Sequence, residues 1–258
     1  MSSIALEVEG LKKSYAKDAR AFEILDIERF AAREGEFITI IGPSGCGKST
    51  FLHIMGGFIP ADRGAIRVYG RDVSGPGPDR GMMFQEFALF PWKTVAGNVA
   101  WGLETQGMPR AQIEPIVQRQ LEMTGLADFR NHYPAELSGG MKQRVALARV
   151  LAFDPKVLLM DEPFGALDAQ TREAMQEEVM RLWARTRKTI VFVTHDIEEA
   201  VYLGDRVIVL TARPGRIREE VTIDLPRPRE LEIKKSARVH EYRNYVWDLI
   251  RSEAQKSY

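Results

Sequence analysis

The chain has 258 residues, room for one large domain or a domain with a subdomain. Its 36 basic and 36 acidic residues cancel, and a neutral average surface argues against a chain whose main task is to coat nucleic acid or an anionic membrane. An apolar share of 45% excludes general disorder, and the lone cysteine, Cys46, excludes a disulfide framework and fits a reducing cytosol.

The amino terminus has no basic segment followed by an apolar run, so no secretory signal is expected. No stretch nears the roughly 18–20 apolar residues that a membrane helix needs, so the chain is not expected to cross a membrane by itself. Residues 4–8 and 23–30 alternate apolar and polar positions, as half-buried strands do. Residues 37–41 form a continuous apolar run ending in Gly42, the pattern of a strand covered on both faces. A Gly-rich turn leads into a helix over 48–55, followed by a strand at 65–69, a Pro/Gly loop at 74–80 and a short strand at 81–85. From 86 to 140 the period becomes helical, over 94–106 and 110–123, with Ile113, Val117 and Leu121 four residues apart on one face. Helix and strand then alternate: helices over 141–152 and 168–186, and strands at 156–161, 189–193 and 206–210. Asp196 and Glu199 have capping-box spacing for a third helix. Such alternation specifies a parallel sheet covered on both sides. Past Pro226 strand character stops, and 230–256 reads as one helix or a broken pair packed on the outside. The expected organisation is an α/β core over 1–85 and 141–225, a helical insertion over 86–140 and a carboxyl-terminal tail over 226–258.

Gly42, Pro43, Ser44, Gly45, Cys46, Gly47, Lys48 and Ser49 match GxxxxGK(S/T) between a buried strand and a helix, the context that motif requires. Its glycines let successive N–H groups converge on one point, and the helix adds its positive end. Lys48 would reach the terminal phosphates of a nucleotide, Ser49 would offer its hydroxyl to Mg²⁺, and Thr50 completes the cradle. Cys46 reads as a small lining residue, since no partner base stands beside it in sequence. Further along, an apolar strand ends in Asp161 and Glu162, at the edge of a parallel sheet where ligands bind. Asp161 is placed to reach the metal's water shell. Glu162, one residue on, points differently and can address an attacking water. Together the two motifs specify a nucleoside triphosphatase.

Between them, Leu137, Ser138, Gly139, Gly140 and Met141 open a helix, and a serine with two glycines at a helix start forms a second anion site. With the P-loop and the Asp161–Glu162 strand, this segment resembles the signature of ATP-binding cassette (ABC) proteins, although Met141 stands where the family usually has Gln. The resemblance implies a P-loop NTPase with a RecA-like core, amino-terminal antiparallel strands and a helical insertion. It also implies ATP and Mg²⁺ as ligands and a head-to-tail dimer, each ATP lying between the P-loop of one chain and the signature of the other. By resemblance, Tyr15 stacks on adenine, though a tyrosine of the core or a turn is an equal reading of that residue. Gln85 resembles the glutamine that touches Mg²⁺ and the attacking water, Asp168 belongs to the loop crossing the dimer interface, and His195 is the switch histidine at the γ-phosphate.

Residues 75–81, Phe90-Pro91-Trp92, Arg213 to Ile217 and Leu225 to Arg229 resemble the nitrate, sulfonate and taurine importer group. A chain of that group would be an energy-coupling subunit at the cytoplasmic face of the inner membrane. Separate permease subunits would hold it there, and a solute-binding protein would deliver a small anion, sulfonates first and nitrate next. Glu86 to Trp92 either packs the insertion's own core or forms a groove for a permease helix. A soluble ABC ATPase acting on ribosomes or DNA is the alternative, but the single cassette and neutral charge weigh against it. A plain P-loop kinase or GTPase leaves Leu137–Met141 and His195 without a role.

Overall fold

The computed structural model describes residues 3–17 and 20–255. Strands β1 (Ile4–Lys17) and β2 (Arg20–Arg33) form one long antiparallel pair, with register shifts between Ile4 and Leu6 and between Lys13 and Ser14. With β4 (Arg63–Val68) and β5 (Arg71–Asp72) they make a four-stranded sheet of order β2-β1-β4-β5. The second sheet runs β10-β9-β3-β8-β7-β6. It contains β3 (Phe37–Ile41), β6 (Arg80–Met83), β7 (Val157–Asp161), β8 (Thr189–Val193), β9 (Arg206–Leu210) and β10 (Ile217–Thr222). All its pairings are parallel except β9 with β10.

The continuous apolar runs of β7 and β8 work because alternate residues serve opposite faces. Val157, Leu159, Val191 and Val193 pack with helix α1 (Lys48–Met55) and the antiparallel sheet. Leu158, Met160, Ile190 and Phe192 pack with α4 (Gly139–Leu151) and α5 (Ala169–Thr186). Helices α2 (Val95–Thr105) and α3 (Arg110–Met123) share a separate apolar cluster with one face of α4, through Val145 and Ala148, and with Ala152 at its end. Helix α6 (Ile197–Leu203) and the tail helix α7 (Ala237–Gln255) pack together over β9.

Several expected boundaries move. The short strand ends at Met83, so Gln85 stands beyond it, in the loop. Helix α4 begins at Gly139 with Ser138 as its cap, so both signature glycines are in its first turn. The tail is a broken pair, a 3₁₀ turn over Leu231–Lys235 and then α7, parted at the extended residue Ser236. Strand β10 has no counterpart in the sequence reading. The tail is fixed by Arg229, which is buried and donates to the carbonyls of Val201, Tyr202 and Gly204 at the end of α6. Burial pushes that guanidinium down to about 10.

Candidate active site

Strands β3, β6, β7 and β8 all point their carboxyl ends at one edge of the parallel sheet, and each delivers a piece of the site there. After β3 the chain curls through Gly42 to Gly47 into α1. Gly47 sits at φ +97 as the helix cap, and a Cβ on it would lie 2.7 Å from Leu25 Cδ2, so both conformation and space require glycine. Lys48 is buried at 8% exposure and donates through Nζ to the carbonyls of Gly42 (3.0 Å) and Pro43 (3.2 Å). Its ammonium thus arches back over the loop. Ser44 and Gly45 are exposed on the crest. Cys46 is buried beneath it, and burial pushes its thiol up, which fits a lining residue and not a nucleophile.

Ser49 Oγ donates to Asp161 Oδ1 at 2.9 Å, joining the start of α1 to the end of β7. The other carboxylate oxygen lies 3.2 Å from His53 Nε2. His53 follows Ser49 by four residues on the same helix face, a spacing visible in the sequence. Among the described residues no group of three His, Cys, Asp or Glu side chains could cage a metal. One hydroxyl and one carboxylate suit a hard cation that takes its remaining ligands from water and substrate phosphates.

Glu162 departs from its neighbour because the strand ends there. Its backbone is left-handed, φ +42, and its N–H donates to Val193 O at 3.0 Å. The side chain turns to His195, with Oε2 2.9 Å from Nδ1. That imidazole is 63% exposed, and the Glu162 side chain 20%. Gly165 joins this pair to Gln85: a Cβ on it would be 3.9 Å from both Gln85 Nε2 and Glu162 Oε2. Gln85, Glu162 and His195 therefore share one surface beside the Ser49–Asp161 pair.

The signature residues gather elsewhere. Ser138 Oγ accepts from Met141 N at 3.3 Å, and a Cβ on Gly140 would lie 2.6 Å from Thr171 Cγ2. Asp168 caps α5 by accepting from Thr171 N (3.0 Å) and Oγ1 (2.7 Å), and the hydroxyl holds its carboxyl below the usual range. So Ser138, Gly139, Gly140 and Asp168 make a second edge, the paired starts of α4 and α5, with Ser138 and Gly139 exposed. Tyr15 lies on β1 opposite Phe22 of β2, and both are largely exposed. Ile24 and Leu25, at the register shift further along β2, both touch the place where a Gly47 Cβ would sit, so this stretch of the hairpin lies beside the P-loop.

Residues 86–92 divide between the two readings. Phe87 and Leu89 pack inward, and Arg149 donates to the carbonyls of Ala88 (2.6 Å) and Phe87 (3.1 Å). Phe90 is tied through backbone N–H and C=O to the Asn98 amide, at 2.8 and 3.1 Å, while its ring lies 5.7 Å from Trp92 and 4.7 Å from Trp101. Trp92 is 72% exposed and Trp101 40%.

Residues 25–165 match the model of the ABC transporter family. The chain is 44% identical to the nitrate import ATP-binding protein of a Synechocystis strain, over 95% of each chain. It is 48% identical to the taurine import ATP-binding protein of Roseobacter denitrificans, over 84% of each. A dimeric ATP-binding cassette solved in a post-hydrolysis state with ADP and Pi superposes with TM-score 0.74 at 32% identity, covering 86% of this chain and all of that one.

Proposed function

The chain belongs to the ABC transporter family, as an ATP-hydrolysing, ATP-binding subunit, and on that premise we propose that it drives an importer of a small anion, a sulfonate such as taurine before nitrate. The observation that carries the catalytic part is the Glu162–His195 contact, 2.9 Å long, standing at the sheet edge beside the P-loop and the Ser49–Asp161 pair. Relatives that import two different solutes lie at similar identity, 44% and 48%, which supports the anion-importer group more strongly than either solute.

Lys48 leaves the Gly42 and Pro43 carbonyls to donate to the β- and γ-phosphates of ATP, and the P-loop N–H groups cradle the same charge. Ser49 and Asp161, with Gln85, hold Mg²⁺, which offsets phosphate charge when bound. Glu162 accepts the proton of the attacking water, or orients it, and His195 donates toward the γ-phosphate. Tyr15 stacks on adenine. Ser138, Gly139 and Gly140 close the site of a second copy, with Asp168 crossing beside them, so hydrolysis needs a head-to-tail dimer. The core over 1–85 and 141–225 carries the P-loop side of each site, and of the tail over 226–258 the described residues, 226–255, pack outside it. The helical subdomain over 86–140 presents Trp92 and Trp101 to a separate permease, which holds the cassette at the cytoplasmic membrane face. A solute-binding protein acts on the far side, and nucleic acid has no part.

The test is reconstitution of the chain with its permease and binding protein in liposomes. ATP turnover should rise with taurine or another sulfonate. Stimulation only by a solute that is not a small anion would overturn the solute class, and turnover independent of the permease would overturn the transport role.

A further inference from the structure

We propose that the carboxyl-terminal tail positions the switch histidine, through a buried line of side chains running Lys234, Gln176, Glu199, Thr194, which makes Glu199 and Lys234 positioning residues for ATP hydrolysis. The proposal rests on the reading of His195 as the group that meets the γ-phosphate.

The line begins in the tail. Lys234 Nζ donates to Gln176 Oε1 at 2.8 Å, Gln176 Nε2 donates to Glu199 Oε1 at 2.9 Å, and Thr194 Oγ1 donates to Glu199 Oε2 at 2.5 Å. Gln176, Glu199 and Thr194 are 3%, 4% and 2% exposed, so water does not compete for the two inner bonds. The last link meets the backbone beside the histidine. Thr194 Oγ1 accepts from Asp196 N at 3.0 Å, spanning His195, while Thr194 N donates to Ile40 O at 3.1 Å and so ties the turn to β3. His195 itself has an exposed ring held by Glu162. Its direction is set by Glu162 on one side and by the turn on the other, and the Thr194 hydroxyl is the side-chain tie that spans the turn.

A carboxylate is the group this arrangement needs. Glu199 accepts on both oxygens, and an ionised carboxyl is acceptor-only. A glutamine there would face one of its two partners with a donor. The Thr194 hydroxyl could accept that donor, but it would then hold two incoming N–H groups, the other from Asp196 N, with its own proton turned away from the line. The alternative turns the Gln176 amide over and presents N–H groups to the Lys234 ammonium. The orientation of each group is thus settled by the next, as far as the tail cation. Among the described residues Lys234 has no other partner as close: Glu198 and Glu173 lie 3.6 and 3.8 Å from Nζ, and the Tyr202 ring lies 5.0 Å away. Burying a carboxyl in this place is costly, and burial does raise its pKa. An apolar residue would avoid that cost but would leave Thr194 and Gln176 undirected.

The test uses the full chain and steady-state ATP hydrolysis, with ATP affinity and thermal melting measured beside it. Lys234→Met should lower kcat by roughly 3- to 30-fold, short of the ~10²-fold cost of a 1 Å misplacement. KM for ATP should stay within about two-fold, because the P-loop is not touched. Lys234→Arg should restore kcat, since it returns a donor to Gln176. Glu199→Leu, which removes both acceptor oxygens, should act in the same direction and more strongly. The decisive variant is the double one: added to His195→Ala, Lys234→Met should cost less than about two-fold, because groups acting through one residue are not additive. Full multiplication of the two effects, or wild-type kcat in a folded Lys234→Met protein, overturns the positioning role. If His195→Ala alone leaves kcat unchanged, the reading of His195 fails first and the proposal falls with it. If His195→Ala is impaired while the Lys234 and Glu199 variants are not, only the proposal falls.

Discussion

Glu162→Gln separates chemistry from binding. The two side chains share one shape, and the left-handed backbone at φ +42 strains both alike, so that cost cancels. The His195 contact at 2.9 Å keeps a hydrogen-bonding partner with an amide, and because the imidazole is 63% exposed the change in fold stability is below about 1 kcal/mol. On the proposed reading of Glu162 as the base, the barrier should change far more. Removing a general base costs about 10²–10⁴-fold in rate, which is about 3–5 kcal/mol at ~1.4 kcal/mol per decade. A normally folded protein with little turnover is therefore expected. Lys48, Ser49 and the loop amides are untouched, so ATP should still bind, and the unhydrolysed nucleotide should hold the dimer closed. Phosphate release at saturating ATP, equilibrium binding of ATP and size-exclusion chromatography with and without nucleotide read the three consequences. Turnover within a few-fold of the unaltered protein would refute the assignment of the base.

Three shorter predictions come from other parts of the site. Ser138→Arg removes a helix cap worth about 1 kcal/mol and puts a cation at an exposed edge, so a single chain should still bind ATP while hydrolysis falls. Dimers with one altered chain should lose the site that uses that signature, and two equally active sites there would exclude action in trans. Cys46, buried and with its thiol pushed up, should resist iodoacetamide at pH 8 in the folded chain and react after unfolding, as mass spectrometry will record; rapid labelling of the native protein would show that the loop opens. Ala88 is exposed at φ +45, beside the tethered Phe87 and Phe90. A cysteine there should cross-link to a cytoplasmic permease loop with a nucleotide-dependent yield, and an assembled complex without any cross-link would place the coupling surface elsewhere.

How much of this was legible in the sequence follows from where each residue's partners are. Strands β3, β8 and β9 and helix α1 were readable to the residue, because burial on both faces demands unbroken apolar runs and the P-loop glycines mark the turn. Strand β10 was not. It is an antiparallel edge with Glu219 and Glu220 in its middle, and of its six residues only Val221 is buried, so no period survives. The amino-terminal hairpin read as fragments because two register shifts break its alternation. Glu199 shows the deeper limit. Its spacing from Asp196 reads as a capping box, and one arm is real, since Asp196 Oδ1 accepts from Glu199 N at 3.1 Å. The other arm never forms, because Gln176, 23 residues away on α5, offers the carboxylate a buried donor that a local motif cannot announce. Arg227 and Arg229 belong to the same class. As sequence they are two more charges in a basic tail. In the fold Arg227 pairs with Asp205 at 2.6 Å and lies 4.4 Å from the Trp183 ring, while Arg229 closes the end of α6. A local signal reports a residue whose partner is within a turn or a strand's width, and a charge whose partners are carbonyls of a distant helix looks the same as one in water.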